Sequence, residues 1–450
     1  MKILVCFFIV LLLTGCRAQP TSPDNEINEN TEGKQDETVM TEDRFSISKK
    51  FVMDFTNRNS EVLLNEYAYT AEMRSALNLE RMNQIFEDVS TQFGTYKAYD
   101  ENQTETTNSG YQIITYIIEY SNHNINLNIV FNDQDEIAGF NYTLNNDIFD
   151  KESDLFTTSD IAFGLDKFKI NGTLTLPKDV ENPPILILVH GSGPNDRNET
   201  VGANTPFADI AYALGEMGIA TLRYDKRTYT YGANIDVSSF TFSEETIDDA
   251  VLAFEKAKSL GFDKVFILGH SLGGHAIPII ADQIIADGYI IAEGYVSPLQ
   301  EVIVNQYTYL LSLDGTMSPE DQSSLDAIKA QAEAVSKIDY ESPNGHNVLL
   351  GASEVYWKSL NQYDVLSLAK KITAPVLIIN GDRDYQVTVD EFNLWRKSLE
   401  AYDNFAFKLY PGVNHLLFKG EGKPSNEEYN TRHEVDREII EDITDFIKRH

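Results

Sequence analysis

The chain has 450 residues, of which 42% are hydrophobic and 11% aromatic, a composition that fills large cores and excludes a disordered protein. Seventy acidic side chains against 36 basic ones give a formal charge of −34, which repels phosphate backbones and anionic headgroups and excludes nucleic acid as a partner. Only two cysteines occur, Cys6 and Cys16, so a disulfide framework and cysteine-rich metal centres are excluded, and the length favours two domains.

Lys2 precedes an unbroken apolar run, Ile3 to Leu13. A membrane-spanning helix needs roughly 20 such residues, so this run suits the core of a secretory signal instead. It ends in Leu13-Thr14-Gly15-Cys16, which resembles the lipobox of bacterial lipoproteins. That resemblance implies removal of residues 1–15, a lipid on Cys16, and an extracytoplasmic protein anchored to the bacterial cell membrane. The alternative is an ordinary signal peptide with a chance cysteine. Residues 16–43 are polar and acidic, and bury too little apolar surface to fold. They read as a flexible tether with a reach of about 30 Å.

Residues 44–148 read as a small α+β domain. Phe51, Val52 and Phe55, then Val62, Leu63 and Leu64, mark apolar helical stripes, and Met73 to Phe93 continues the pattern. Tyr111 to Ile118 and Ile125 to Phe131 read as strands between turn clusters. Helices followed by an antiparallel meander resemble the nuclear-transport-factor-2-like domains that precede secreted bacterial hydrolases. The stretch carries no catalytic constellation, so docking, spacing or substrate gathering is its expected role.

From about residue 159 to 450 the pattern changes. Phe168 to Leu176 reads as one arm of a hairpin around Asn171-Gly172. Strands and helices then alternate, which predicts a mostly parallel sheet covered on both faces. Ile185 to Val189 and Val376 to Ile379 are continuously apolar, as strands buried on both faces must be. Residues 298–368 interrupt the alternation with helical patterns. An insertion at that point lies over the carboxyl ends of the strands and reads as a cap.

Gly269-His270-Ser271-Leu272-Gly273 follows the strand Lys264 to Leu268 and precedes a helical segment. That is the strand–turn–helix context of a nucleophile elbow, with Ser271 at the turn. His190-Gly191-Ser192-Gly193-Pro194 follows the strand Ile185 to Val189. Backbone N–H groups from this loop and from the residue after the nucleophile form an oxyanion hole in such sites, here Ser192 and Leu272, with Gly193 competing for the first role. Asp384 follows the strand Val376 to Asn380, and His415 follows the strand Phe405 to Tyr410. Asp382 is the rival acid, read as a turn residue. A serine hydroxyl needs a base to take its proton, and the base needs an acid to fix its tautomer.

The order Ser271, Asp384, His415 and the motifs around these residues resemble the α/β-hydrolases, in particular bacterial esterases of the serine aminopeptidase and dienelactone hydrolase branches. The resemblance implies an α/β-hydrolase fold with Ser271 as nucleophile, His415 as base and Asp384 as orienter, and no metal or organic cofactor. Two positions depart from the related oxyanion and strand-end loops: Asn198 stands where an acid is frequent, and Thr228 where glycine is common. Together these readings predict a serine carboxylesterase acting on a small-molecule ester. A peptidase or amidase and a non-catalytic binding module on the same fold are the alternatives. Gly193, Tyr307, Tyr309, Tyr356 and Trp357 are candidates for lining the substrate pocket, weighed against plain packing of the cap. His190, His270 and His275 are expected to brace loops. Asp196, Arg197, Asp225, Lys226 and Arg227 either line the site or form a structural ion-pair network.

Overall fold

The computed structural model describes residues 44–99, 103–108, 111–120, 124–145, 153–165 and 167–450. The signal, the lipobox with Cys16, the tether and the turn residues 121–123 lie outside the described residues. The chain divides into two compact units that part near residues 148–149. No described helix is long and apolar enough to cross a membrane.

The first unit opens with four helices, α1 (Arg44–Thr56), α2 (Ser60–Asn65), α3 (Ala71–Ala76) and α4 (Leu79–Phe93). Five antiparallel strands come next: β1 (Tyr96–Tyr99), β2 (Thr104–Asn108), β3 (Tyr111–Tyr120), β4 (Asn124–Phe131) and β5 (Ile137–Asn145). On β4 the alternation is strict. Ile125, Leu127, Ile129 and Phe131 are buried, while the asparagines between them are not. Met82, Phe86, Val89 and Phe93 recur every three or four residues on α4 and meet that face in one core with Phe51 and Phe55 of α1. Asn78 caps α4, its side chain accepting the N–H of Arg81 at 2.9 Å.

The second unit is built on an eight-stranded sheet. Its strands are β6 (Phe156–Leu165), β7 (Phe168–Pro177), β8 (Ile185–Val189), β9 (Ala220–Tyr224), β10 (Val265–His270), β11 (Gly288–Ala292), β14 (Val376–Gly381) and β15 (Phe405–Tyr410). A two-stranded hairpin, β12 (Val348–Leu349) and β13 (Ala352–Ser353), lies apart from it. The order across the sheet is β15-β14-β11-β10-β8-β9-β7-β6, parallel from β15 to β9 and antiparallel beyond. The helices are α5 (Pro206–Glu216), α6 (Arg227–Tyr231), α7 (Asp248–Ser259), α8 (Leu272–Ala281), α9 (Leu299–Leu311), α10 (Pro319–Val335), α11 (Glu354–Asn361), α12 (Val365–Ala369), α13 (Val389–Leu399) and α14 (Arg437–Arg449).

Two cores sandwich the sheet because successive residues of each strand face opposite ways. Ile185, Ile187 and Val189 of β8 pack with α7, α8 and α13. Leu186 and Leu188 pack with α5 and α14 on the other face. Every side chain of β8 and β10 is buried, which is why these runs carry no polar alternation.

One turn lies elsewhere than the sequence suggests. Asn171-Gly172 sits inside β7, and the hairpin closes between Leu165 and Phe168. A Cβ at Gly172 would lie 2.3 Å from the carbonyl oxygen of Arg223, so this glycine serves the close approach of β9 rather than a turn.

Candidate active site

β10 delivers Ser271 to the end of the strand with φ +55° and ψ −114°, and α8 starts at the next residue. This backbone is strained for a residue with a Cβ. It is held by the Ser271 N–H, which donates to Ala292 O at 2.9 Å, and by the Ser271 carbonyl, which accepts from His275 N at 3.0 Å. The flanking glycines have steric reasons. A Cβ on Gly269 would lie 2.1 Å from Gly273 O, and one on Gly273 would lie 2.3 Å from Val189 O.

The loops after β14 and β15 bring Asp384 to His415, with Asp384 Oδ2 at 2.6 Å from His415 Nδ1. The other oxygen, Oδ1, accepts the N–H groups of Gln386 at 2.6 Å and Val387 at 3.0 Å. Asp382 faces another way and accepts the Gly412 N–H at 2.7 Å, tying the two loops together. Ser271, Asp384 and His415 are all buried, and Ser271 and His415 line one cavity of about 260 Å³. With Nδ1 bonded to the carboxylate, Nε2 is the nitrogen left to act as a base.

The loop after β8, where the sequence places the oxyanion donors, is held by two buried carboxylates. Gly191 N–H donates to Glu199 Oε1 at 2.5 Å, and Gly193 N–H donates to Glu245 Oε1 at 3.2 Å. The Ser192 N–H between them has no such bond among the described residues. Leu272 is the first residue of α8, where a helix N–H lacks an intrahelical acceptor. The two expected donors are therefore available, and Gly193 is engaged. Lys226 Nζ completes the brace, donating to Gly191 O at 2.7 Å and Glu245 Oε1 at 2.8 Å. Glu245 reaches this position from a π-helical turn, Ser243–Ile247, that leads into α7.

His270 joins the loops beneath the serine. Its Nε2 meets His415 O at 2.8 Å, and its Nδ1 lies 3.0 Å from Glu199 Oε2. Both ring nitrogens face oxygen acceptors, the arrangement of an imidazolium. Burial pulls the His270 pKa down, but the Glu199 charge together with the hydrogen bonds to Glu199 and to His415 O outweighs it, and the net shift is upward. Burial likewise pushes Glu199 up, and His270, with His190 and the Gly191 N–H, outweighs it and holds Glu199 below the usual carboxylate range. His190 and His275 have no such partner, and burial pushes both down to about 4. His190 Nε2 meets Asp196 O at 2.9 Å, and His275 Nδ1 meets Tyr295 O at 3.1 Å.

The other candidates separate cleanly. Ser192, Gly193 and Tyr307 line the cavity, with Gln306 and Leu310 of α9 as further contributions from the 298–368 insertion. Tyr356 and Trp357 do not line it, which corrects the expectation for both. The Tyr356 hydroxyl donates to Glu245 Oε2 at 2.5 Å, and Trp357 is buried with its Nε1–H on Leu349 O at 2.8 Å. Tyr309 donates to Pro424 O and stacks on Tyr385, which does line the cavity. Arg197 pairs with Asp225, Lys226 with Glu245 and Arg227 with Asp249, and none of these six residues, nor Asp196, lines the cavity. Asn198 accepts a bond from the buried Arg223, and Thr228 Oγ1 donates to Gly193 O at 3.3 Å.

The sequence does not single out three residues of the site: Glu199 and Glu245, which carry no motif, and Glu293. Glu293 comes directly after β11, the same acid-past-a-strand cue that marked Asp384. Its carboxyl, Asp384 and His415 offer atoms within 4.8 Å of one another. Three such groups could in principle hold a cation, but Asp384 and His415 already use these atoms on each other.

The profile of the serine aminopeptidase (S33) family matches residues 184–422, more than half of the chain. The esterase EstD of Thermotoga maritima is 31% identical over 402 residues, spanning 87% of this chain and 92% of that protein. The chain belongs to the serine aminopeptidase (S33) family of α/β-hydrolases. The S33 unit is preceded by a match at residues 48–140 to a family described only as a protein of unknown function (DUF3887). Among solved structures, Est1E from Butyrivibrio proteoclasticus is similar at 20% identity and a TM-score of 0.40, covering 64% of this chain and 98% of its own. The proline iminopeptidase of Mycobacterium smegmatis is similar at 18% identity and a TM-score of 0.43, covering 65% and 98%. An α/β-hydrolase sheet and an esterase relative make this S33 member a hydrolase.

Proposed function

We propose that this hydrolase is a serine carboxylesterase that cleaves small to medium acyl esters through an acyl-enzyme on Ser271. The observation that carries the proposal is the 2.6 Å contact of His415 Nδ1 with Asp384, made beside the cavity that Ser271 lines. His415 Nε2 takes the Ser271 hydroxyl proton as Oγ attacks the ester carbonyl carbon. The oxyanion is stabilised by the Ser192 and Leu272 N–H groups, and Asp384 stabilises the imidazolium. The intermediate collapses, His415 gives its proton to the departing alcohol, and the acyl group stays on Ser271. A water then gives a proton to His415 and attacks the acyl carbon. Release of the acid returns the proton to Ser271.

A cavity of about 260 Å³ supports the size class, and the esterase relative supports esters over amides. A fluorophosphonate probe should label the protein, and Ser271→Ala should abolish labelling and lower kcat on p-nitrophenyl acetate by about 10⁶. Full activity in that variant overturns the proposal. The family profile favours a second reading, cleavage of aminoacyl amides. Turnover of aminoacyl p-nitroanilides at rates rivalling p-nitrophenyl esters would select it.

The lipobox-like Leu13-Thr14-Gly15-Cys16 supports a lipid-anchored, extracytoplasmic location. Cys16→Ser should abolish palmitate labelling and partition into detergent, and persistence of both refutes the anchor.

A further inference from the structure

Glu293 is fully buried and has φ +50°, a conformation disfavoured for a residue with a Cβ. Its backbone N–H donates to Ile379 O at 3.0 Å, and its Oε1 accepts the Gly381 N–H at 2.7 Å. These bonds fix the carboxyl against Asp384 at the end of β14. Its Oε2 is buried and no N–H or hydroxyl donor reaches it. Two carboxyls therefore meet in a buried site, and no lysine or arginine ion pair reaches either among the described residues.

Like charges this close do not both persist, so one carboxyl keeps a proton. The bonding decides which. Asp384 faces three donors, the Gln386 and Val387 N–H groups and His415, all of which favour its ionised form. Glu293 faces one backbone N–H and the Asp384 carboxylate.

We infer that Glu293 is a neutral carboxylic acid whose Oε2–H donates to Asp384 and positions that carboxylate against His415. The inference rests on the triad roles of the proposed esterase. Burial, then the Asp384 charge and the bond to it, push Glu293 well above the usual carboxylate range. The other titratable groups bearing on the pair are His415, the His270–Glu199 ion pair and the Tyr429 phenol, which senses the Asp384 charge. The proton keeps the pair at a single negative charge, so His415 faces one carboxylate rather than two.

The test reads the proton directly. Infrared difference spectra of the full protein at pH 8 should contain the C=O stretch of a buried protonated carboxylic acid, and Glu293→Gln should remove it. Glutamine retains both an acceptor for Gly381 and a donor for Asp384, so it should restore most of the kcat that Glu293→Ala loses, and the acid limb of its kcat/KM profile should not move. Glu293→Ala removes the donor. It should lower kcat about tenfold and move the acid limb upward, because an unassisted Asp384 holds the His415 proton more tightly. Absence of the band in the wild type, or a fall of the acid limb by about one unit in Glu293→Gln, would show that Glu293 is ionised and overturn the inference. The band needs no turnover, so it stands or falls separately from the esterase reading.

Discussion

Glu199 Oε2 lies 3.0 Å from His270 Nδ1, while the other oxygen of the same carboxylate holds the Gly191 N–H at 2.5 Å. One side chain thus couples the oxyanion loop to the strand end that carries the serine.

This pair makes stability depend on pH with a defined sign. The His270 pKa is raised, so its contribution is full below the ordinary imidazole value and is lost as pH rises through the folded one. The Glu199 pKa is lowered, so its contribution is present above the ordinary carboxylate range and is lost as pH falls through the folded one. Both are full between about pH 5 and 6.5. Glu199→Gln should lose about 3 kcal/mol at pH 6, and the deficit should shrink at pH 9. Thermal melts at the two pH values check this, and a constant deficit contradicts it.

The two acids after β14 should behave differently. Asp384→Asn should lower kcat by about 10⁴ through the wrong histidine tautomer. Asp382→Asn keeps an oxygen for the Gly412 N–H and should leave kcat close to wild type. Steady-state kinetics on one ester substrate separates them, and equal losses would refute the assignment.

The elbow glycines should tolerate nothing larger. Gly273→Ala places a methyl 2.3 Å from Val189 O and should destabilise the protein by more than about 4 kcal/mol. Gly232→Ala meets no atom within 4 Å and should change stability by less than about 0.5 kcal/mol. Denaturant unfolding of the pair, or soluble yield if Gly273→Ala does not fold, checks the contrast.

Tyr307 and Trp357 should part in the same way. Tyr307→Ala enlarges the cavity and should shift the kcat/KM ratio of long to short acyl esters by about tenfold. Trp357→Ala should cost about 3–5 kcal/mol of stability and leave that ratio unchanged. An ester series with acyl chains from two to ten carbons, run beside thermal melts, measures both.

How much the sequence discloses depends on how local each constraint is. The strand, serine and glycines of the elbow are legible because the residues themselves are adjacent in the chain, even though the oxygen that Gly273 makes room for belongs to the distant Val189. Asp384 is distinguished from Asp382 by its distance past a strand end. Gly172 misleads because the atom it makes room for, on Arg223, is far away in the chain. Glu245 is silent for the same reason, and the acid-past-a-strand cue of Glu293 does not disclose its partner. Their partners, Gly193 and Gly381, lie 52 and 88 residues away, and a lone glutamate makes no periodic signal. Tyr356 and Trp357 share the aromatic character of pocket residues, and only the direction in which α11 turns them tells them apart.

The π-helical turn at Ser243–Ile247 has a geometric consequence. An extra residue in a helical turn rotates the residues before it by roughly 100° relative to those after it. Glu245 therefore points at Gly193 because of how many residues the turn contains, as much as because of what they are. Removing one residue there would swing the carboxylate away from Gly193, Lys226 and Tyr356 together. The shape of the oxyanion loop is in that sense counted out along the chain, 52 positions from where it acts.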